Sequence, residues 1–337
     1  MAYTTIDKSS LFFSPTLYVG NGGTKTVTGI PFEPDMTWLK NRSVAGDNEI
    51  YDKLRGATYR IYPNNNSGQD ALAQGLQAWT SDGFTVGNNN AINGNGNNQV
   101  SWNWKMNGTG SSNTAGSINT TATSANTTSG CAMITYTGTG ANATIGHGLG
   151  VAPQVVIYKR TNTTGNWFMY NKNIGNTKYL NLDANSAVQT YNVFQNTDPS
   201  STLLYVSGDS GANASGGTYV AYCFAEKQGF SKFGSYTGNG NADGKFVYTG
   251  FKPAYVIAKR TDGVSNWNQF DNKRFGFNVK NPLLYPNLSN AESDNVYIDL
   301  LSNGFKWRTT NGDINASGGS YIYMAFAEAP LVGTNNV

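Results

Sequence analysis

Residues 213–226 read NASGGTYVAYCFAE and residues 315–328 read NASGGSYIYMAFAE. Each stretch opens on a Gly-Gly turn and closes on a run in which bulky apolar residues alternate. Val220, Tyr222 and Phe224 share one parity, as do Ile322, Met324 and Phe326. That period of two is the signature of a β-strand with one face on a core. The two stretches lie 102 residues apart. Two further motifs recur at a spacing of 100: YTGTG at 136–140 with YTGNG at 236–240, and APQVVIYKRTNTTGNW ending at Trp167 with KPAYVIAKRTDGVSNW ending at Trp267. Spacing this constant over three separate motifs means duplication.

A more diverged copy opens the chain. YVGNG at 18–22 matches the first motif, EPDMTWLKNR at 33–42 the second and NQVSWNWK at 98–105 the third. In that last segment Val100, Trp102 and Trp104 keep the same parity. The NASGG turn is absent from this copy, and an Asn/Gly run stands near 93–98. The expected fold is therefore all-β, three tandem β-sandwich or jelly-roll-like repeats of about 100 residues. Asn-Gly, Asp-Gly and Gly-Gly pairs supply the hairpin turns. VVIYK and YVIAK are the apolar, β-branched runs of central strands. The divisions expected are a first repeat over 1–106, a Ser/Thr/Asn/Gly linker over 107–130, a second repeat over 131–228, and a third over 229–337 ending in a C-terminal tail. NGTGSSNTAGSINTTATSANTTSG has almost no apolar residue, the composition of a linker or of an extended arm laid along a neighbour. Phe230 and Phe233 are expected to pack between the second and third repeats. GQDALAQGLQAW at 68–79 reads equally as a short helix or as none, because Gly75 interrupts it.

Composition narrows the function. Charged residues are 13% of the 337, yet the chain holds 20 Tyr, 16 Phe and 7 Trp. The aromatics argue for a packed core and against disorder. A net charge of +3, with the basic residues scattered, is too weak for a nucleic-acid footprint. No apolar run approaches the length of a membrane span, and the N-terminus has no secretory pattern. Membrane insertion is not expected. The two cysteines, Cys131 and Cys223, make no disulfide framework.

Catalysis is not expected either. The single histidine, His147, lies in a Gly-rich turn outside the repeated framework; aligned on the following proline, the other copies carry Thr28 and Val247 there. No G-x-S-x-G elbow surrounds a serine. One His and two separated Cys give no transition-metal ligand set, and the oxygen-rich loops GDSGAN, NADGKF and TNGDIN lack the D-x-D-x-D-G pattern of a calcium loop. No metal or cofactor is expected. Asn166 with Trp167, and Asn266 with Trp267, have the composition of a sugar-stacking surface, against the commoner role of a repeated Trp as core anchor. DNKRFGFNVKNPLLYPN at 271–287 reads as an insertion-like stretch of the third copy. Its Arg274, Phe275, Phe277 and Tyr285 suit an exposed binding loop or an interface.

The motifs YTGNG, GHGLGVAPQVVIYKR, GFSKFGSYTGNGNADGKFVYTGFKPAYVIAKR and NASGGSYIYMAFAE resemble a repeat domain family of marine phage, cyanophage-like, tail-fibre and virion structural proteins. The resemblance covers almost all of the chain apart from the linker. It implies a non-enzymatic protein of the phage particle surface, a tail fibre or similar appendage contacting the host cell. Implied partners are further copies of itself (a trimer, by analogy), other virion proteins and a host-surface glycan. The alternatives are a head-bound capsid decoration protein and a carbohydrate-binding or carbohydrate-degrading protein.

Overall fold

The structure, a computed structural model, describes residues 4–274, 278, 282–294 and 297–332. It is nearly all β, and every ladder between its strands is antiparallel. One pattern occurs three times. A four-stranded inner sheet comprises 13–19, 98–104, 36–41 and 49–52 in the first unit, in that spatial order. The same order holds for 131–137, 218–224, 155–160 and 167–171 in the second, and for 231–237, 320–330, 251–260 and 268–271 in the third. A smaller outer sheet covers each: 25–27, 83–86 and 76–80; 143–146 and 203–206; 246–248, 304–307 and 298–301.

Each sandwich has its own core between the two sheets. In the second unit Tyr136, Tyr158, Tyr219 and Ala221 meet Ile145, Leu204 and Val206. A one-turn helix closes each sandwich and ends on a buried Asn. Asn93, Asn213 and Asn315 each accept from a turn N–H, those of Asn21, Thr139 and Asn239, at 2.8–3.0 Å. Their Nδ2 groups donate to two backbone carbonyls apiece. The tyrosines of the first motif, Tyr18, Tyr136 and Tyr236, donate to the carbonyls of Ile92, Ala212 and Ile314 in the same helices. The Asn of NASGG is therefore an internal staple. The first copy retains it as Asn93, although its surrounding sequence differs.

The three units do not lie in a row. Their inner sheets face one another across one shared core, in which Trp38, Trp102 and Trp104 of the first unit meet Tyr222 and Phe224 of the second and Tyr255, Met324 and Phe326 of the third. Phe13 stacks on Phe326 at 5.1 Å, Trp102 meets Tyr255 edge-on at 6.0 Å, and Phe224 meets Phe326 at 5.9 Å. The inner-sheet strands are thus buried on both faces. Val220, Tyr222 and Phe224 point to the shared core, while Tyr219, Ala221 and Cys223 point into the sandwich. The serial arrangement expected from the sequence becomes a ring with a pseudo-three-fold axis. Phe230 packs against Phe12 and Phe326, tying the second-to-third junction to the first unit.

Two local readings that the sequence left open are decided. Residues 107–130 are an arm laid along the second unit, not a free linker. Ala122–Asn126 forms an added edge strand on Cys131–Thr137, and Ile118 inserts into the second sandwich core. Hydroxyl side chains satisfy its backbone, as where Ser124 Oγ accepts from Asn107 N–H at 2.8 Å. Residues 68–79 are not helical. They form Asp70–Ala71, paired with Tyr59–Arg60, and the start of Leu76–Thr80, paired with Gly83–Val86, and Gly75 lies where a Cβ would strike the Tyr51 hydroxyl. Among the described residues no helix is long and apolar enough to cross a membrane.

Candidate functional site: the seams between units

Three seams join the ring, and the same contacts build each. In each unit one residue at the start of the fourth inner-sheet strand donates its backbone N–H to a side chain of its own unit and reaches the preceding unit. The N–H of Trp167 is held by Asp183 at 3.0 Å, that of Trp267 by Asn287 at 2.9 Å and that of Asn48 by Asn64 at 2.8 Å. Trp167 Nε1 donates to Tyr62 O of the first unit at 2.8 Å, and Trp267 Nε1 to Asn181 O of the second at 2.9 Å. In the first unit Asn48 takes this place. Its Nδ2 donates to Tyr285 O and Leu288 O of the third unit, and its Oδ1 accepts from Trp38 Nε1. The bulk of the missing indole is supplied by Trp38, where the other units carry Ile157 and Ile257.

The lysine of each LKNR, YKR or AKR run repeats the scheme. Lys40 donates to Ser289 O, Lys159 to Asn66 O and Lys259 to Asn185 O, each in the neighbouring unit. All three are buried, and burial pushes each ammonium from 10.5 down to about 8, only partly opposed by Asp47, Asp183 and Asp313 respectively. The unfolded chain keeps these protons up to about 10.5, whereas the folded chain releases them near 8. In that window the unfolded state binds more protons, so stability rises with pH. Buried tyrosines such as Tyr136 and Tyr222, whose hydroxyls burial pushes up, reverse the trend once unfolded tyrosines ionise near 10. Thermal melts should therefore peak between about pH 9 and 10; a maximum below about pH 7 would contradict the buried seam lysines.

Buried charge distinguishes the seams. Asp52 and Arg55 pair at 2.6 Å, and Tyr222 OH of the second unit donates to Asp52 Oδ2 at 2.6 Å. Asp271 and Arg274 pair at 2.6 Å, and Trp102 Nε1 of the first unit donates to Asp271 Oδ2 at 3.0 Å. The equivalent pair in the second unit is Asn171 and Ile174. There the residue in register with Trp102 and Tyr222 is Met324, which has no proton to donate. The charge pair thus accompanies a donor on the neighbouring unit.

The sequence-predicted residues fall as follows. Trp167 and Trp267 are 0% and 1% exposed and lie in the shared core, so their faces are closed to a sugar. Asn166 is exposed; Asn266 is half-buried and accepts from Asn287 Nδ2 at 2.8 Å. Arg274 is fully buried against Asp271 and Glu292, not on an exposed loop. Tyr285 is half-buried beside the carbonyl that receives Asn48, while Phe275 and Phe277 lie outside the described residues. The structure brings the Trp, Arg and Tyr positions to the seams but makes fasteners of them. The fastening lysines went unrecognised in the sequence, although their identical place in three motifs marked them.

Other reactive groups are enclosed. His147 is buried, with its pKa lowered by that burial; Nδ1 accepts from Leu149 N–H, so Nε2–H faces Ser200 O at 3.2 Å. By strand register its equivalents are Gly29 and Thr249, not Thr28 and Val247, because Ile145 aligns with Val27 and Val247. Cys131 and Cys223 are free and buried, and desolvation pushes the Cys131 thiol up to about 12. Glu49, its carboxyl raised by burial, is bound by Arg60, Tyr51 and Asn89 at 2.6–2.9 Å. Asp209 and Asn311, in two of the oxygen-rich loops, cap one-turn helices, and Asp243 in the third pairs with Lys306 and Arg308. Among the described residues no three His, Cys, Asp or Glu side chains are grouped to hold a metal.

Outside the fasteners, grooves lined by described residues open at two of the seams. One, of about 350 Å³, lies between units one and two and is lined by Leu54, Arg55, Tyr59 and Gln69 on one side and Thr121, Thr135, Thr137, Thr161 and Thr218 on the other. The second, of about 480 Å³, lies between units two and three and uses the corresponding positions: Asn173, Ile174, Lys178 and Val188 face Thr261, Asp262 and Ser320. Both are bridged by one backbone bond, Gln69 N–H to Thr161 O or Val188 N–H to Thr261 O. In the third seam the matching bond is Glu292 N–H to Arg42 O, and there the two side chains form a bidentate ion pair at 2.8 and 2.9 Å.

Comparison with curated proteins and with solved structures gives no match. One family model matches residues 8–330, a span that crosses all three units and all three seams. On that match, the chain belongs to DUF7483, a family described as a domain of unknown function.

Proposed function

We propose that the protein is a structural component of a bacteriophage particle, a terminal body on a tail fibre or similar appendage that meets the host cell surface and carries out no chemistry of its own. The observation that carries this reading is the closed ring. Three sandwiches bury both faces of their inner sheets around one axis, which makes a rigid three-sided body suited to sit on the axis of a three-fold fibre. The low charge suits a surface that must work across salt conditions. The motif resemblance to virion proteins supports the same reading.

We propose further that the protein in solution is a single copy, a reading supported by the three-fold arrangement of units within one chain, in place of the trimer expected by analogy. Light scattering should give the mass of one chain, and a three-chain mass would overturn that point. Gold-labelled antibody on purified particles tests the location. Label at fibre ends is expected; label over the head would make it a decoration protein, and its absence from particles would overturn the proposal.

A further inference from the structure

We infer that the grooves at the first and second seams are paired binding sites for a neutral hexose oligosaccharide. This rests on the host-contact reading and names where the glycan would sit and what kind it would be. The two grooves are built from corresponding residues, Gln69 and Val188 facing Thr161 and Thr261, so the ring offers the same cleft twice. Their volumes, about 350 and 480 Å³, fall in the range of small-ligand sites. The first groove is edged by threonine hydroxyls, which both donate and accept and so match sugar hydroxyls. Tyr59 at its rim is 40% exposed and gives an aromatic face on which a sugar ring can stack.

Charge selects against an acidic glycan in the first groove, where Arg55 is already held by Asp52. In the second, Asp262 is held by Arg260 at 2.7 Å, and Lys178 stands in the lining beside that pair. At the third seam, among the described residues, the Arg42–Glu292 ion pair, with Arg274 behind it at 3.1 Å, stands in the place of the Thr161–Gln69 and Thr261–Val188 pairs.

The test is an array of neutral gluco-, galacto- and manno-oligosaccharides, with sialylated oligosaccharides beside them, probed with the full chain, with Tyr59→Ala and with Lys178→Ala. Both residues are exposed, so both variants should fold, which a melt checks. Neutral oligosaccharides should bind, with Tyr59→Ala lowering affinity at least tenfold at one of two sites. Neutral binding undiminished in Tyr59→Ala and Lys178→Ala would overturn the seam assignment while leaving a host-contact role intact. Binding only to sialylated probes, or to none, would overturn the neutral-glycan assignment, whereas the failure of the particle role itself shows in the labelling experiment.

Discussion

Asp271→Ala should destabilise the protein by about 3–5 kcal/mol, the usual cost of stripping one partner from a buried ion pair. Arg274 is fully buried, and its Nε lies 2.6 Å from Asp271 Oδ2. Its remaining partners are Gln269 O at 3.0 Å and Glu292 at 3.1 Å, and Glu292 is already shared with Arg42. The substitution also leaves Trp102 Nε1, donated across from the first unit, without its acceptor. The damage is therefore to the third-to-first seam and not only to one sandwich. Urea unfolding of the variant against the parent measures it. A loss under about 1 kcal/mol would show that water reaches Arg274 and that the seam is not closed.

The second large effect belongs to Trp167→Ala, for which about 3–5 kcal/mol is expected from removal of a buried indole. Trp167 is enclosed in the shared core, stacks over Tyr222 at 6.5 Å, lies beneath Lys159 at 5.7 Å and donates to Tyr62 O of the first unit. An exposed sugar-stacking tryptophan would cost little stability when truncated, so the same urea experiment separates the two roles. Asn48 shows that the position can be refilled without an indole. It does so only because Trp38 supplies the volume and both Asn side-chain groups are bonded; alanine at 167 supplies neither.

The contrast between the copies explains what could be read in advance. The β character followed from residues such as Val220, Tyr222 and Phe224, whose parity is local information. The ring did not follow, because its evidence is split between copies. In the second unit both parities of 219–224 are apolar, which is what a strand buried on two faces looks like. In the first unit the sandwich-facing positions Gln99, Ser101 and Asn103 are buried yet polar, which mimics a strand with one face in solvent. The exchange of Ile157 and Trp167 for Trp38 and Asn48 likewise hid the shared fastener in the first copy. Residues 107–130 read as a linker because Ile118 is nearly their only apolar anchor, and hydrogen bonds from Ser, Thr and Asn carry the rest of that segment. Trp167 and Trp267 were recognisable as a pair, but whether a repeated Trp faces core or solvent depends on a neighbour that sequence spacing does not show.

All of these effects depend on one physical claim, that three sandwiches share a single core and so cannot melt apart. Differential scanning calorimetry tests it most directly. One transition is expected, with the calorimetric and van't Hoff enthalpies equal for the whole chain. Separate transitions, or a calorimetric enthalpy about three times the van't Hoff value, would mean three independent units and would contradict the shared core.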